Sequence, residues 1–374
     1  MAIYNHIIKL ISSVTVLVSL LFFVACADEK VEPTAEVVTF DIADSQGWGE
    51  MSRGAALTTT NLCQQGFGVF AYYTENKSWG SYTLAGAPNF INNSKVTSAN
   101  NGTTWGYSPV KYWPHSKTDK VSFFAYAPYD SAKTIAGTMI DFEVNQNVSQ
   151  QIDLVWSKSA TTDLNRETQK VNFNFQHALA RIGFNLQASV TEISAAVTAK
   201  FTIKRIVLTS ATDKVGTGDG PFYASGTLDL YNTGEVAAWS NCSGKNRFTL
   251  TEGNFSAKNN TGLSLTHDTK NGTMQINAED SYVMVIPQNL FSAGFNVLVD
   301  YQVDLIVKGS TYNTYENNCM GTVKIDLKSG NTYMINIIAT LKDAKVEKDN
   351  VGIIPWGDGG DLILPGLLPE EGSN

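Results

Sequence analysis

Apolar and polar residues alternate along much of this chain with the two-residue period of a β-strand. Val38, Phe40 and Ile42 are separated by Thr39 and Asp41, so an extended segment carries all three apolar side chains on one face. Denser runs follow at residues 67–73 and 120–129, and residues 151–156 and 171–186 continue the pattern between clusters of Gly, Asn and Ser. Downstream, the same reading predicts strands at 201–208, 226–231, 281–287, 296–307, 321–327 and 332–341. Tyr301, Val303, Leu305 and Val307 share one face, and Ile306 interrupts the polar opposite face, which predicts a strand covered on both sides. Residues 192–200 predict a short helix. Many short strands with turn signals between them predict an all-β fold of two β-sandwich domains in series, residues 54–190 and 191–374. The tail from residue 350 holds Pro355, Pro365 and Pro369 and reads as extended.

The opening residues follow another rule. Lys9 precedes an apolar run at 11–24 and then Ala25, the order of a secretory signal, so residues 1–25 are expected to be a leader. The run is short for a transmembrane helix, which needs about 20 apolar residues. Phe23-Val24-Ala25-Cys26 resembles a bacterial lipobox, in which cleavage precedes the cysteine and its thiol takes up lipid; Phe23 departs from the usual Leu. Residues 26–53 then read as a lipidated tether, with Cys26 as the lipidation site. Each buried acyl methylene contributes roughly 0.8 kcal/mol, so two or three chains anchor firmly.

Composition narrows the functions. Of 374 residues 43% are hydrophobic and only 17% charged, which suits sheet surfaces rich in Thr, Tyr and Val. A net charge of −8 without a basic block argues against nucleic-acid binding. After Cys26 only Cys63, Cys242 and Cys319 remain, too few for a disulfide framework, though a Cys242–Cys319 bridge stays open. His115, His177 and His267 have no zinc spacing, and neither a nucleophile elbow nor a phosphate loop is present. No metal, cofactor or enzymatic activity is therefore expected, and His177 reads as a hydrogen-bonded structural residue. The Asp358/Asp361 glycine cluster reads as a turn. Trp79, Trp105 and Trp239 read as packing residues before sugar platforms, and Asp130-Ser131-Ala132 is at most a weak glycan-acceptor match.

Tyr112-Trp113-Pro114, then residues 119–128 (DKVSFFAYAP), resemble the pattern of the fimbrillin family, the pilus proteins and related lipoproteins of Bacteroidia. Residues 67–72 (FGVFAY), 173–182 (FNFQHALARI), Gly330-Asn331-Thr332-Tyr333 and Ile354-Pro355-Trp356 extend the resemblance in order along the chain. It implies two transthyretin-like β-sandwich domains in tandem, export as a lipoprotein to the outer-membrane surface, and assembly with other fimbrillin subunits by strand exchange. It also implies that a trypsin-like protease cuts after an arginine downstream of the lipidated cysteine, which places the cut between Arg53 and Gly54. The cut removes a first strand, here Val38, Phe40 and Ile42, and a neighbour's C-terminal strand fills the groove. In this chain the candidate donor residues are Ile353, Ile354, Leu362 and Leu364, but the prolines and Gly357, Gly359 and Gly360 interrupt them. A tip subunit, which accepts without donating, fits that departure. The alternative is a surface lipoprotein that keeps its lipid and serves as pilus anchor or as a module gripping glycan or a host or bacterial surface protein.

Overall fold

The computed structural model describes residues 35–43 and 59–355, except 85, 159–160, 169, 192, 233, 235, 279–280, 342–343 and 347–350. Cys26, Arg53, Gly54, Asp358, Asp361, Leu362 and Leu364 lie outside the described residues.

In chain order the first elements are β1 (Phe40–Ile42), α1 (Thr59–Gln65), β2 (Phe67–Glu75), β3 (Ile91–Val96), β4 (Lys120–Ala127), β5 (Met139–Glu143), β6 (Val155–Lys158), β7 (Val171–His177) and β8 (Ala180–Ser189). A six-stranded sheet takes the order β1-β7-β6-β4-β2-β3. Its middle strands are apolar on both faces because each face meets a different core. Val121, Phe123, Ala125 and Ala127 of β4 join one cluster with Phe67, Val69, Val171, Phe173 and Phe175, while Phe124 and Tyr126 join a larger one with Phe70 and Tyr72. β7 at the periphery shows strict alternation instead, with Asn172 and Asn174 exposed.

After β8 come β9 (Val197–Ser210), β10 (Ser225–Asp229), β11 (Ala238–Ser243), β12 (Phe248–Leu250), α2 (Ala257–Thr261), β13 (Leu263–Leu265), β14 (Asn271–Gln275), β15 (Val283–Val285) and β16 (Gln288–Asn289). β17 (Phe295–Val307), β18 (Ser310–Val323), β19 (Asp326–Leu327), β20 (Asn331–Ala339), β21 (Ala344–Val346) and β22 (Gly352–Pro355) complete them. One sheet runs β12-β9-β17-β18 with β13 on β9. Another runs β14-β8-β20-β21, with β15 on β8 and β22 on β20. The inner faces of both sheets contribute to the larger cluster. The fold is all-β, as the alternation predicts. A small sheet, β11-β10-β5, joins strands from both sides of residue 190, and β8 pairs in parallel with β20, Arg181 opposite Thr332.

Several local expectations are corrected. Residues 192–200 hold no helix among the described residues: Val197 to Lys200 open β9, where Ala199 and Thr198 pair with Leu305 and Ile306 of β17. Pairing with a long neighbouring strand overrides a marginal helix propensity. The run 171–186 is two strands that leave for different sheets at Ala178-Leu179. Of the strand expected at 151–156 only Val155 and Trp156 join the ladder; Gln151 instead bonds through its side-chain amide, donating to Met284 O (3.0 Å) and accepting from Met284 N (2.7 Å). β18 had no sequence signal before residue 321, since Ser310 to Glu316 are exposed on both faces, yet they pair with β17 along its length.

Candidate functional site

The segment 37–43 lies at the outer edge of the six-stranded sheet. Its strand β1 runs parallel to β7, with Phe40 opposite Val171 and Ile42 opposite Phe173. The ladder is carried by Val171 N donating to Thr39 O (2.9 Å) and Ala43 N donating to Phe173 O (2.9 Å). The other flank belongs to a strap at residues 105–112. Val38 N donates to Lys111 O (2.8 Å), and Val37 and Phe40 form antiparallel bridges with Tyr112 and Trp105. Tyr107 ties strap to segment: its hydroxyl donates to Val38 O (3.0 Å) and accepts from Lys111 N (3.0 Å).

Alternation dictates what this short segment buries. Val38 and Phe40 point into the smaller cluster and are buried, and Ile42 packs half-buried at its margin. The Phe40 ring sits in an aromatic cage, with centroids 4.8 Å from Tyr107, 5.6 Å from Phe173, 6.0 Å from Phe123 and 6.5 Å from Phe67. Asp41, on the outer face, pairs with Lys170 at 2.9 Å. Burial also pushes the Tyr107 phenol above its ordinary pKa. The geometry is that of a groove between β7 and the strap, floored by aromatic side chains and filled by one extended peptide. Such a site binds a strand through main-chain bonds and alternate side-chain pockets.

A model of a family described as Fimbrillin-like matches residues 56–356. The chain belongs to the fimbrillin-like family. The match begins downstream of Arg53 and so leaves out the segment that fills the groove. The fimbrium subunit Fim1C of Phocaeicola vulgatus is 36% identical to this fimbrillin-like chain over 151 residues, 35% of this chain and 39% of that relative. The chain thus spans well under half of the length of the curated relative it matches. A crystal structure of a fimbrial protein from Bacteroides vulgatus shares the fold, with a TM-score of 0.65 at 21% identity, covering 86% of this chain and 99% of that one.

The structure of this fimbrillin-like chain brings Val38, Phe40 and Ile42 together in the groove. Ile353 and Ile354 lie in β22, where they pair with Tyr333 and Thr332 of the chain's own β20, and Ile353 is exposed. Sequence reasoning missed Tyr107 and Lys111, because the strap is irregular and has no hydrophobic period; it also missed Lys170, whose role depends on Asp41 lying beside it. His177 does bond to a buried carboxylate, Asp153, at 2.9 Å. Trp79 and Trp105 are buried, and the Trp239 indole donates to Ala178 O (2.9 Å). Cys63, Cys242 and Cys319 are all free thiols. Among the described residues no group of three or more His, Cys, Asp or Glu is placed to hold a metal ion, and no helix is long and apolar enough to cross a membrane.

Proposed function

We propose that this chain is a structural subunit of a fimbria, exported as a lipoprotein on Cys26, cut after Arg53, and assembled by β-strand complementation through the groove on β7. The observation that carries this reading is the seating of residues 37–43: an edge strand, outside the family match, whose Val38 and Phe40 nonetheless complete an apolar core. Two transthyretin-like sandwiches, divided near residue 190, remain the architecture proposed for the body.

Physical chemistry supports a temporary occupant. Burying Val38 and Phe40 contributes on the order of 1.5–3 kcal/mol each, and each main-chain bond a net of about 0.5–1.5 kcal/mol. While residues 44–58 connect the segment to the body, its return is intramolecular. A cut within that connection removes the effective concentration, which is roughly millimolar for a short link, and lets the peptide leave. The emptied groove then exposes β7's unpaired edge and an apolar furrow, a state that favours capture of another strand. Arg53 stands in that connection.

Mass spectrometry of the surface-assembled protein tests the reading. An N-terminus at Gly54, and loss of polymer on Arg53→Ala, is the expected result. An assembled protein that still begins at a lipidated Cys26 overturns it in favour of an anchor or a glycan- or protein-binding lipoprotein of the outer membrane.

A further inference from the structure

We propose that the groove selects its occupant by an aromatic side chain opposite Val171, and therefore takes its strand from a different polypeptide rather than from residues 357–374 of a second copy. This inference rests on the strand-exchange reading above and specifies the partner. Phe40 is surrounded on the groove floor by Phe67, Tyr107, Phe123 and Phe173. The edge-on and tilted contacts of such a cage reward a planar ring and leave a void around a branched aliphatic side chain. Two residues earlier, Val38 fills a fully enclosed position, and two residues later Ile42 sits half in solvent. The occupant the groove fits is thus an extended segment with a β-branched residue, then an aromatic, then a tolerant aliphatic position, at two-residue spacing.

The chain's own tail does not supply that pattern. Residues 357–374 contain no Phe, Tyr or Trp, and their only strand-like run, Asp361 to Leu364, offers Leu362 and Leu364. Trp356 is the nearest aromatic. Its two-residue predecessor is Ile354, which is paired with Thr332 of its own chain, and Pro355 between them is held against Asn331. Seating Ile354 in another copy's groove, two residues ahead of Trp356, requires breaking β22 from β20. Pro355 also has no N–H to give to the new ladder.

The full-length chain carrying Phe40→Ala, its own segment weakened, is titrated with fluorescein-labelled peptides by anisotropy. The peptides copy residues 36–43, residues 36–43 with Phe40→Leu, and residues 357–368. Thermal melting of full-length Phe40→Leu runs in parallel. The expected result is that the native 36–43 peptide binds roughly tenfold or more tighter than its leucine form, that the tail peptide binds no tighter than the leucine form, and that Phe40→Leu lowers the melting midpoint. Equal binding of the two 36–43 peptides, preference for the tail peptide, or an unshifted midpoint overturns aromatic selection while strand exchange stands. Failure of every peptide to bind overturns strand exchange, and the selection with it.

Discussion

Replacing Phe40 by alanine in the full-length chain removes the largest side chain of the segment without touching β7 or the strap. The ring is buried and, among the described residues, has Tyr107, Phe173, Phe123 and Phe67 within 6.5 Å. A Phe→Ala change at such a site costs about 3–5 kcal/mol, since the floor of the groove is fixed by the sheet and cannot collapse onto the void. That is a large share of the roughly 5–15 kcal/mol typical of a folded domain. Because the segment is peripheral, part of the loss is expected as local opening. Amide exchange should quicken at Val38, Ala43 and Val171, whose N–H groups hold the segment in place, while amides of β17 and β20 stay protected. Urea unfolding gives the global change and exchange mass spectrometry the local one. A loss below about 1 kcal/mol with protection of those three amides unchanged would refute the argument that the caged ring holds the segment.

Two further outcomes test neighbouring parts of the structure. Gly68→Ala places a methyl against the Tyr126 ring and 2.8 Å from Asn93 Oδ1, and so displaces the Tyr126–Asn93 hydrogen bond (2.8 Å); an overpacking loss of about 1–3 kcal/mol in urea unfolding is expected. The Tyr73 hydroxyl donates to Asp119 at 2.6 Å, and that carboxylate pushes the phenol up to about 12 from 10. Its folded pKa is the higher one, so this stabilisation is complete below pH 10 and is lost as pH rises from 10 through 12. Tyr73→Phe should flatten that part of the stability–pH curve, and an unchanged slope counts against the pair.

Legibility followed exposure. The groove residues Val38, Phe40 and Ile42 were readable because the segment has one wet and one dry face, the condition under which a two-residue period survives in sequence. β7 was readable for the same reason. The break between β7 and β8 was not: a one-sided strand passes directly into a buried one at Ala178-Leu179, and the apolar run gives no punctuation there. At the other extreme, Ser310 to Glu316 of β18 are wet on both faces and carry no period, so only their pairing with β17 makes them a strand. Tyr107 lay beyond reach because its function is set by distance to Val38 across a loop, and no local pattern encodes that.

The two clusters bear on whether the groove can open without the body failing. Phe40 and Val38 belong to the smaller one, which also takes side chains from β2, β3, β4, β6 and β7 together with α1 and the strap. The inward side chains of β2 and β4, Phe70, Tyr72, Phe124 and Tyr126, belong instead to the cluster shared with β8, β9, β17 and β20. The backbone of the six-stranded sheet lies between the two. Removing residues 37–43 therefore uncovers aromatic surface on one side of that sheet while the packing on its far side stays closed. The unfilled state that the proposed strand exchange requires would thus be sticky yet still folded. Under the strand exchange proposed above, Phe67, Phe123 and Phe173, fixed by the retained sheet, would present a formed surface to a second strand and leave less ordering cost to its binding.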